Sequence, residues 1–207
     1  MQTALRKIHW LIVLLVILNA CTGTPVKESV TGNRAAYLER TEKLASIHTW
    51  GLVGRLSLDD GDQGGSGRLQ WDVMPTGSEL DFHGAMGRGA WHLQIRPEGA
   101  TLKEADGTEQ TAAGVNTLIQ DRMGWPIPVD ALQWWVRGLA APGAVEDEVL
   151  DLDGRLLTLE QFGWSVDFNR YDSVAGVAVP VRLDARRGSY RVKLAIGRWQ
   201  MGTGDGE

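Results

Sequence analysis

The sequence predicts a mainly β protein with some helix: an antiparallel meander of about ten or eleven strands, curled round an apolar interior and covered by helices. Three observations lead there. From Trp50 onward, apolar residues recur with a period of two over most of the chain. Glycine-bearing turn signals such as Asp106-Gly107 and Asp153-Gly154 punctuate those runs. Three stretches, 34–48, 115–122 and 130–137, switch to helical spacing. A long antiparallel sheet with one apolar face must curl or be covered, and helices across the mouth of an unclosed barrel would do both. Whether the enclosed space is a filled core or a cavity, periodicity leaves open.

The elements follow in order. Arg6 and Lys7 precede an unbroken apolar run from Trp10 to Leu18, too short to span a bilayer and laid out as a secretory signal. It closes on Leu18-Asn19-Ala20-Cys21, a small residue before the only cysteine of the chain, which resembles a bacterial lipobox. That resemblance implies residues 1–20 as a signal peptide and Cys21 as the acylated first residue. An exported protein with one leftover cysteine has no internal disulfide, so its stability must come from packing. Polar residues 22–33, with Pro25 and Gly32, read as a tether, giving the division 1–20, 21–33 and a single domain over 34–207.

Residues 34–48 place Tyr37, Leu38, Leu44, Ala45 and His48 on one side of a helix, with Glu39 and Lys43 as an i,i+4 pair. Then Trp50, Leu52, Leu56 and Leu58 alternate with polar or small residues, as do Leu69, Trp71 and Val73 after the DDGDQGG turn. Leu80 and Phe82 lead into the stretch FHGAMGRGAW, and Trp91, Leu93 and Ile95 leave it. Methionine at the tip of a turn, where Asn, Asp or Ser is usual, is the oddity of this region. Two helices, around Val115–Ile119 and Leu132–Val136, are separated by Gly124-Trp125-Pro126-Ile127-Pro128, whose prolines exclude helix and central strand. Strands resume at Val149–Leu152, Leu156–Gln161, Trp164–Phe168, Val181–Arg186 and Tyr190–Ile196.

Signs of catalysis are sparse. His48, His83 and His92 have no metal-ligand spacing, and there is no G-x-S-x-G nucleophile elbow. Gly84, Gly87 and Gly89 lack the G-K-[ST] of a phosphate loop, and Asp59, Asp60 and Asp62 lack the glutamate of a calcium loop. No enzyme, metal or cofactor is expected. Without residues 1–20 the chain carries 19 basic against 26 acidic side chains, a net of −7, which argues against nucleic acid and against binding anionic lipid by bulk charge. Nine tryptophans, eight of them after the signal, suit either a packed core or an apolar pocket for a large greasy ligand.

Taken together, the lipobox, Trp50-Gly51-Leu52-Val53-Gly54-Arg55-Leu56, Gly67-Arg68-Leu69-Gln70-Trp71, Gly84-Ala85-Met86-Gly87, Trp125-Pro126-Ile127-Pro128-Val129, Leu132 to Gly138, Gly163-Trp164 and Trp199 resemble the LolB family in order along nearly the whole chain. The resemblance implies an unclosed antiparallel barrel with a helical lid over an apolar cavity. It implies an outer-membrane receptor, lipid-anchored at Cys21 on the periplasmic face, that takes lipoproteins from the periplasmic carrier LolA and inserts their acyl chains into the inner leaflet; Thr22, rather than Asp, after Cys21 agrees with that destination. It also implies that Met86, flanked by Gly84 and Gly87, stands where the family displays a leucine for membrane insertion. The expected cavity lining is Leu52, Leu56, Leu69, Trp71, Leu80, Phe82, Trp91, Leu93, Ile95, Trp164, Val166 and Ile196, in a monomer. The alternatives are a structural envelope scaffold with a filled core, an envelope hydrolase, and a soluble carrier of the LolA type.

Overall fold

The computed structural model describes residues 32–85 and 89–202; the signal run, Cys21, Met86 and Gly87 lie outside them. Helix α1 spans Arg34–Ala45, followed by β1 (Trp50–Asp59), β2 (Gly64–Met74), β3 (Gly77–Gly84), β4 (Trp91–Arg96), β5 (Gly99–Glu104) and β6 (Glu109–Ala112). Helices α2 (Val115–Met123) and α3 (Val129–Trp135) interrupt the meander, which resumes with β7 (Asp147–Leu150), β8 (Leu156–Gln161), β9 (Trp164–Val174), β10 (Val177–Arg187) and β11 (Tyr190–Met201).

All eleven strands form one antiparallel sheet in the order β6-β5-β4-β3-β2-β1-β11-β10-β9-β8-β7. The first and last strands meet in its middle: β1 pairs with β11 from Trp50/Met201 to Asp59/Arg191. The outermost strands β6 and β7 do not pair with each other, so the barrel stays unclosed, as the sequence predicts. Packing of α2 on β5 and β6, of α2 on α3, and of α1 on β10 covers the apolar face. One continuous core cluster runs from Tyr37 to Trp199.

Local chemistry explains the helix boundaries. Asn33 caps α1 by accepting the Ala36 N–H at 3.0 Å, and its own N–H donates to the Asp151 carbonyl at 3.0 Å, docking the helix start on the β7–β8 turn. At the other end Ser46 Oγ donates to the Lys43 carbonyl and Ile47 N–H to that of Leu44, ending α1 three residues earlier than predicted. The buried face therefore comprises Tyr37, Arg40 and Leu44, whereas Leu38, Ala45 and His48 are exposed. Gly124, in the left-handed region at φ 69°, closes α2 before the two prolines. The β9–β10 hairpin is longer than the alternation suggests, because Pro180 lies within β10 beside a bulge at Pro180/Arg182. Strand β7 ends at Leu150, leaving Leu152 exposed.

Candidate functional site

The inner faces of the central strands converge beneath α2 and α3. From the sheet come Leu56 and Leu58 of β1, Leu69 and Trp71 of β2, Leu80 of β3, Trp91 and Leu93 of β4, Leu183 of β10, and Val192 and Leu194 of β11. Ile119 and Met123 of α2, Ile127 of the proline linker, and Leu132 and Val136 beside Val129 of α3 face them from above. Between the two layers is a hollow of about 60 Å³, room for only a few waters; with such walls it stays dry.

Six of the twelve expected lining residues meet there: Leu56, Leu69, Trp71, Leu80, Trp91 and Leu93. The other six pack elsewhere on the same inner face. Leu52 is fully buried in the core, and Ile95, half-buried, pairs with Ser78 and Ala100. Phe82 stacks on Trp91 at 5.2 Å, pinning β3 to β4 at the base of the connection between them. Trp164 packs on Trp135 of α3 with Val166 in the same core, and Ile196 sits where β11 separates from β10. The helical half of the lining was missed, although Ile119, Leu132 and Val136 were legible as a helical apolar spacing. Ile127 carries no periodic signal, because two prolines fix it in an extended linker.

Two polar features stand out in this apolar setting. The indole Nε1–H of Trp71 is buried and has no hydrogen-bond partner among the described residues, as is also true of Trp164. Such groups are rare and costly. The second feature is a pair of buried arginines that hold the cover in place. Arg40 of α1 donates from Nε to the Ala178 carbonyl, from Nη1 to that of Gly138 and from Nη2 to that of Arg137, at 2.8, 2.8 and 2.6 Å. Arg137, just past α3, donates back to the Leu44 carbonyl at 3.1 Å and to Gln133 at 3.0 Å, with its guanidinium between the rings of Trp134 and Trp50 at 4.9 and 5.5 Å. Burial pushes the pKa of Arg137 down to about 10 and lowers that of Arg40, so both stay charged at neutral pH and take carbonyls and aromatic faces in place of carboxylates. Gly138 allows this approach: it is left-handed at φ 72°, and a Cβ there would come 2.7 Å from Arg40 Nη2. Gln161 fixes the cover to β8: its Oε1 accepts Trp135 Nε1–H and Ala141 N–H at 3.0 Å each, and its amide donates to the Ala141 carbonyl at 2.8 Å.

His83 is exposed, and half-buried His92 bonds Asp81 at 2.9 Å. Among the described residues no group of three or more His, Cys, Asp or Glu side chains could hold a metal ion.

Comparison with known proteins places this geometry. The family model for outer membrane lipoprotein LolB matches residues 48–199, from just before β1 into β11. The outer-membrane lipoprotein LolB of Pseudomonas savastanoi pv. phaseolicola is 35% identical over 189 residues, covering 90% of this chain and 92% of that protein. That of Alkalilimnicola ehrlichii is 36% identical over 188 residues with the same coverage. A solved LolA superfamily protein from Nitrosomonas europaea superposes with a TM-score of 0.49 at 9% identity, covering 82% of this chain and 94% of that one. On the family match and these relatives, the chain belongs to the LolB family of outer-membrane lipoproteins.

Proposed function

We propose that this protein receives lipoproteins from the periplasmic carrier LolA, holds their acyl chains under α2 and α3, and releases them into the inner leaflet of the outer membrane. Residues 1–20 act as the signal, acylated Cys21 anchors the chain to that membrane, and residues up to 33 tether the domain. The observation carrying this reading is the hollow with apolar walls enclosed between the sheet and α2 and α3.

Physical chemistry makes such a receptor necessary. Three acyl chains carry roughly 45 methylenes, and exposing them to water at ~0.8 kcal/mol each would cost on the order of 35 kcal/mol. Cargo must therefore pass directly from one apolar interior to another. Direction comes from graded affinity along the route, ~1.4 kcal/mol for each tenfold step. The hollow is far too small for such a load as it stands, so α2 and α3 must move off the sheet as the chains enter. Trp71 offers its unpartnered indole N–H to an ester or amide carbonyl at the head of a chain, and the glycine-flanked Met86 dips into the bilayer as cargo leaves.

The test is titration of the purified, non-acylated chain with a fluorescent fatty acid, then transfer of a loaded lipoprotein from carrier to liposomes. Saturable binding and transfer are expected. Absence of saturable binding would leave a structural scaffold with a filled core.

A further inference from the structure

Four arginines far apart in sequence meet in one cross-strand row on the outer face of the sheet. Arg170 of β9 lies opposite Arg182 of β10, Arg182 opposite Ala195 of β11, Ala195 opposite Arg55 of β1, and Arg55 opposite Arg68 of β2. His83 of β3 is the next rung, so the row crosses six neighbouring strands, about 24 Å at ~4.8 Å per step. All five basic side chains are exposed, and among the described residues none of these arginines has a carboxylate partner. Most neighbouring acids are already engaged, Asp184 with Arg191, Asp167 with Arg186 and Asp81 with His92, which leaves Asp172 of β9 as a carboxylate near the row without an ion pair among the described residues. Like charges set directly opposite one another destabilise a sheet. Two such pairs, Arg170/Arg182 and Arg55/Arg68, call for a counter-charge from outside.

The fold also shapes a receptacle at one end of this row. Strands β10 and β11 pair only between Arg182/Ala195 and Arg187/Tyr190. Beyond Arg182 they part, and Trp199 Nε1 donates across the gap to the Pro180 carbonyl at 2.9 Å. The parting leaves a cleft of about 390 Å³ with Arg170, Arg182 and Arg198 in its wall, one acid, Asp172, beside them, and the apolar Ile196 and Trp199. Cationic groups beside an apolar surface suit an amphiphile with an anionic head.

We propose that this cleft and the arginine row bind the phosphate headgroups of anionic phospholipids at the membrane surface. The net charge of −7 without residues 1–20 gives no net attraction to such a surface, so the contact depends on this local concentration of cations. The row also ends at His83, one residue from Gly84, where β3 enters the turn assigned above to the bilayer. Headgroup binding would thus bring that turn to the lipid and deepens the proposed release step; it rests on the membrane setting of the reading above and does not need Met86.

The experiment is flotation of residues 22–207, made without acylation, on vesicles of phosphatidylethanolamine and phosphatidylglycerol in a three-to-one ratio, compared with phosphatidylcholine alone. Binding to the anionic vesicles alone, weakening as salt rises, is expected. R170Q and R182Q should each reduce it about fivefold, and the double variant roughly 25-fold, at ~1 kcal/mol per arginine. Fatty-acid titration of the same variants should match the parent, since these side chains lie outside the core. Equal partition into neutral and anionic vesicles, or parent-like binding by the double variant, overturns the proposal. So does full competition by inorganic phosphate at millimolar concentration, which marks a free-anion site, or binding to polyglutamate without vesicle binding, which marks an acidic protein partner. Loss of fatty-acid binding with vesicle binding intact would sink the hollow's proposed role and leave this one standing.

Discussion

The Nη2 of Arg40 donates to the backbone carbonyl of Arg137 at 2.6 Å, while Arg137 donates to the carbonyl of Leu44, one turn beyond Arg40 on the same helix. Helix α1 and the end of the helical cover thus hold each other through charged donors and neutral acceptors. Replacing Arg40 by Met keeps much of the buried stem and leaves three carbonyls without their donor. R40M should lose about 3 kcal/mol and some 6–12 °C in melting temperature, read by calorimetry. A change within a degree of the parent would mean that water replaces the guanidinium at no cost.

Gln161 offers a cleaner case, because its side chain is fully buried and its three hydrogen bonds all serve the segment after α3. The Gln161→Leu variant conserves volume and strands the indole N–H of Trp135 with both backbone groups of Ala141. Urea unfolding should show a loss of about 3 kcal/mol with an unchanged m-value.

Trp71 bears on function more than on stability. Trp71→Phe removes an indole N–H that has no partner among the described residues, so no hydrogen bond is lost and the cost in stability is limited to about 1–3 kcal/mol for the smaller ring. If that donor serves an acyl ester, the variant should weaken binding of an ester-bearing probe several-fold more than that of a hydrocarbon analogue. Equal weakening of both would reduce Trp71 to a wall residue.

Met86 is expected to act late. Met86→Glu should keep the parent's melting temperature and fatty-acid affinity while blocking delivery to liposomes. Parent-like transfer rates would remove Met86 from the release step.

Acid sensitivity follows from Asp184. Its burial works to raise the carboxyl pKa, but the bidentate hydrogen bonds and charge of Arg191 outweigh that and hold it below the ordinary 3.8. A carboxylate lowered in the folded state contributes stability that is complete above its unfolded pKa and vanishes as pH falls through the folded value. The urea midpoint should hold from pH 7 to about 5 and then decline below about 4. D184N, with nothing to protonate there, should show a shallower decline.

Much of this architecture was legible because alternation reports burial directly. Leu69, Trp71, Leu80 and Leu93 face inward because their polar neighbours face water. The prolines at 126 and 128 separate α2 from α3 as expected. The arginines were not legible in the same way. Composition places arginine outside, and nothing local distinguishes Arg40 and Arg137, which are buried, from Arg55 and Arg68, which are not. Their surroundings come from residues about a hundred positions away. The row from Arg170 to Arg68 likewise exists only through strand register, which no local spacing encodes when β1 pairs with β11. Pro180 hid the lower half of β10 because proline argues against a strand interior unless a bulge accommodates it.

The gap between β6 and β7 has a mechanical consequence. A sealed cylinder of strands has a bore fixed by strand number and stagger, so widening it means tearing rungs apart. Here the circumference is interrupted, and the two arms of the sheet, joined at the β1–β11 seam, can splay by small changes in twist spread over ten ladders, with every rung intact. The girth of the container is therefore compliant; on the proposed function, one receptor would take cargoes bearing different numbers and lengths of tail without a separate mould for each.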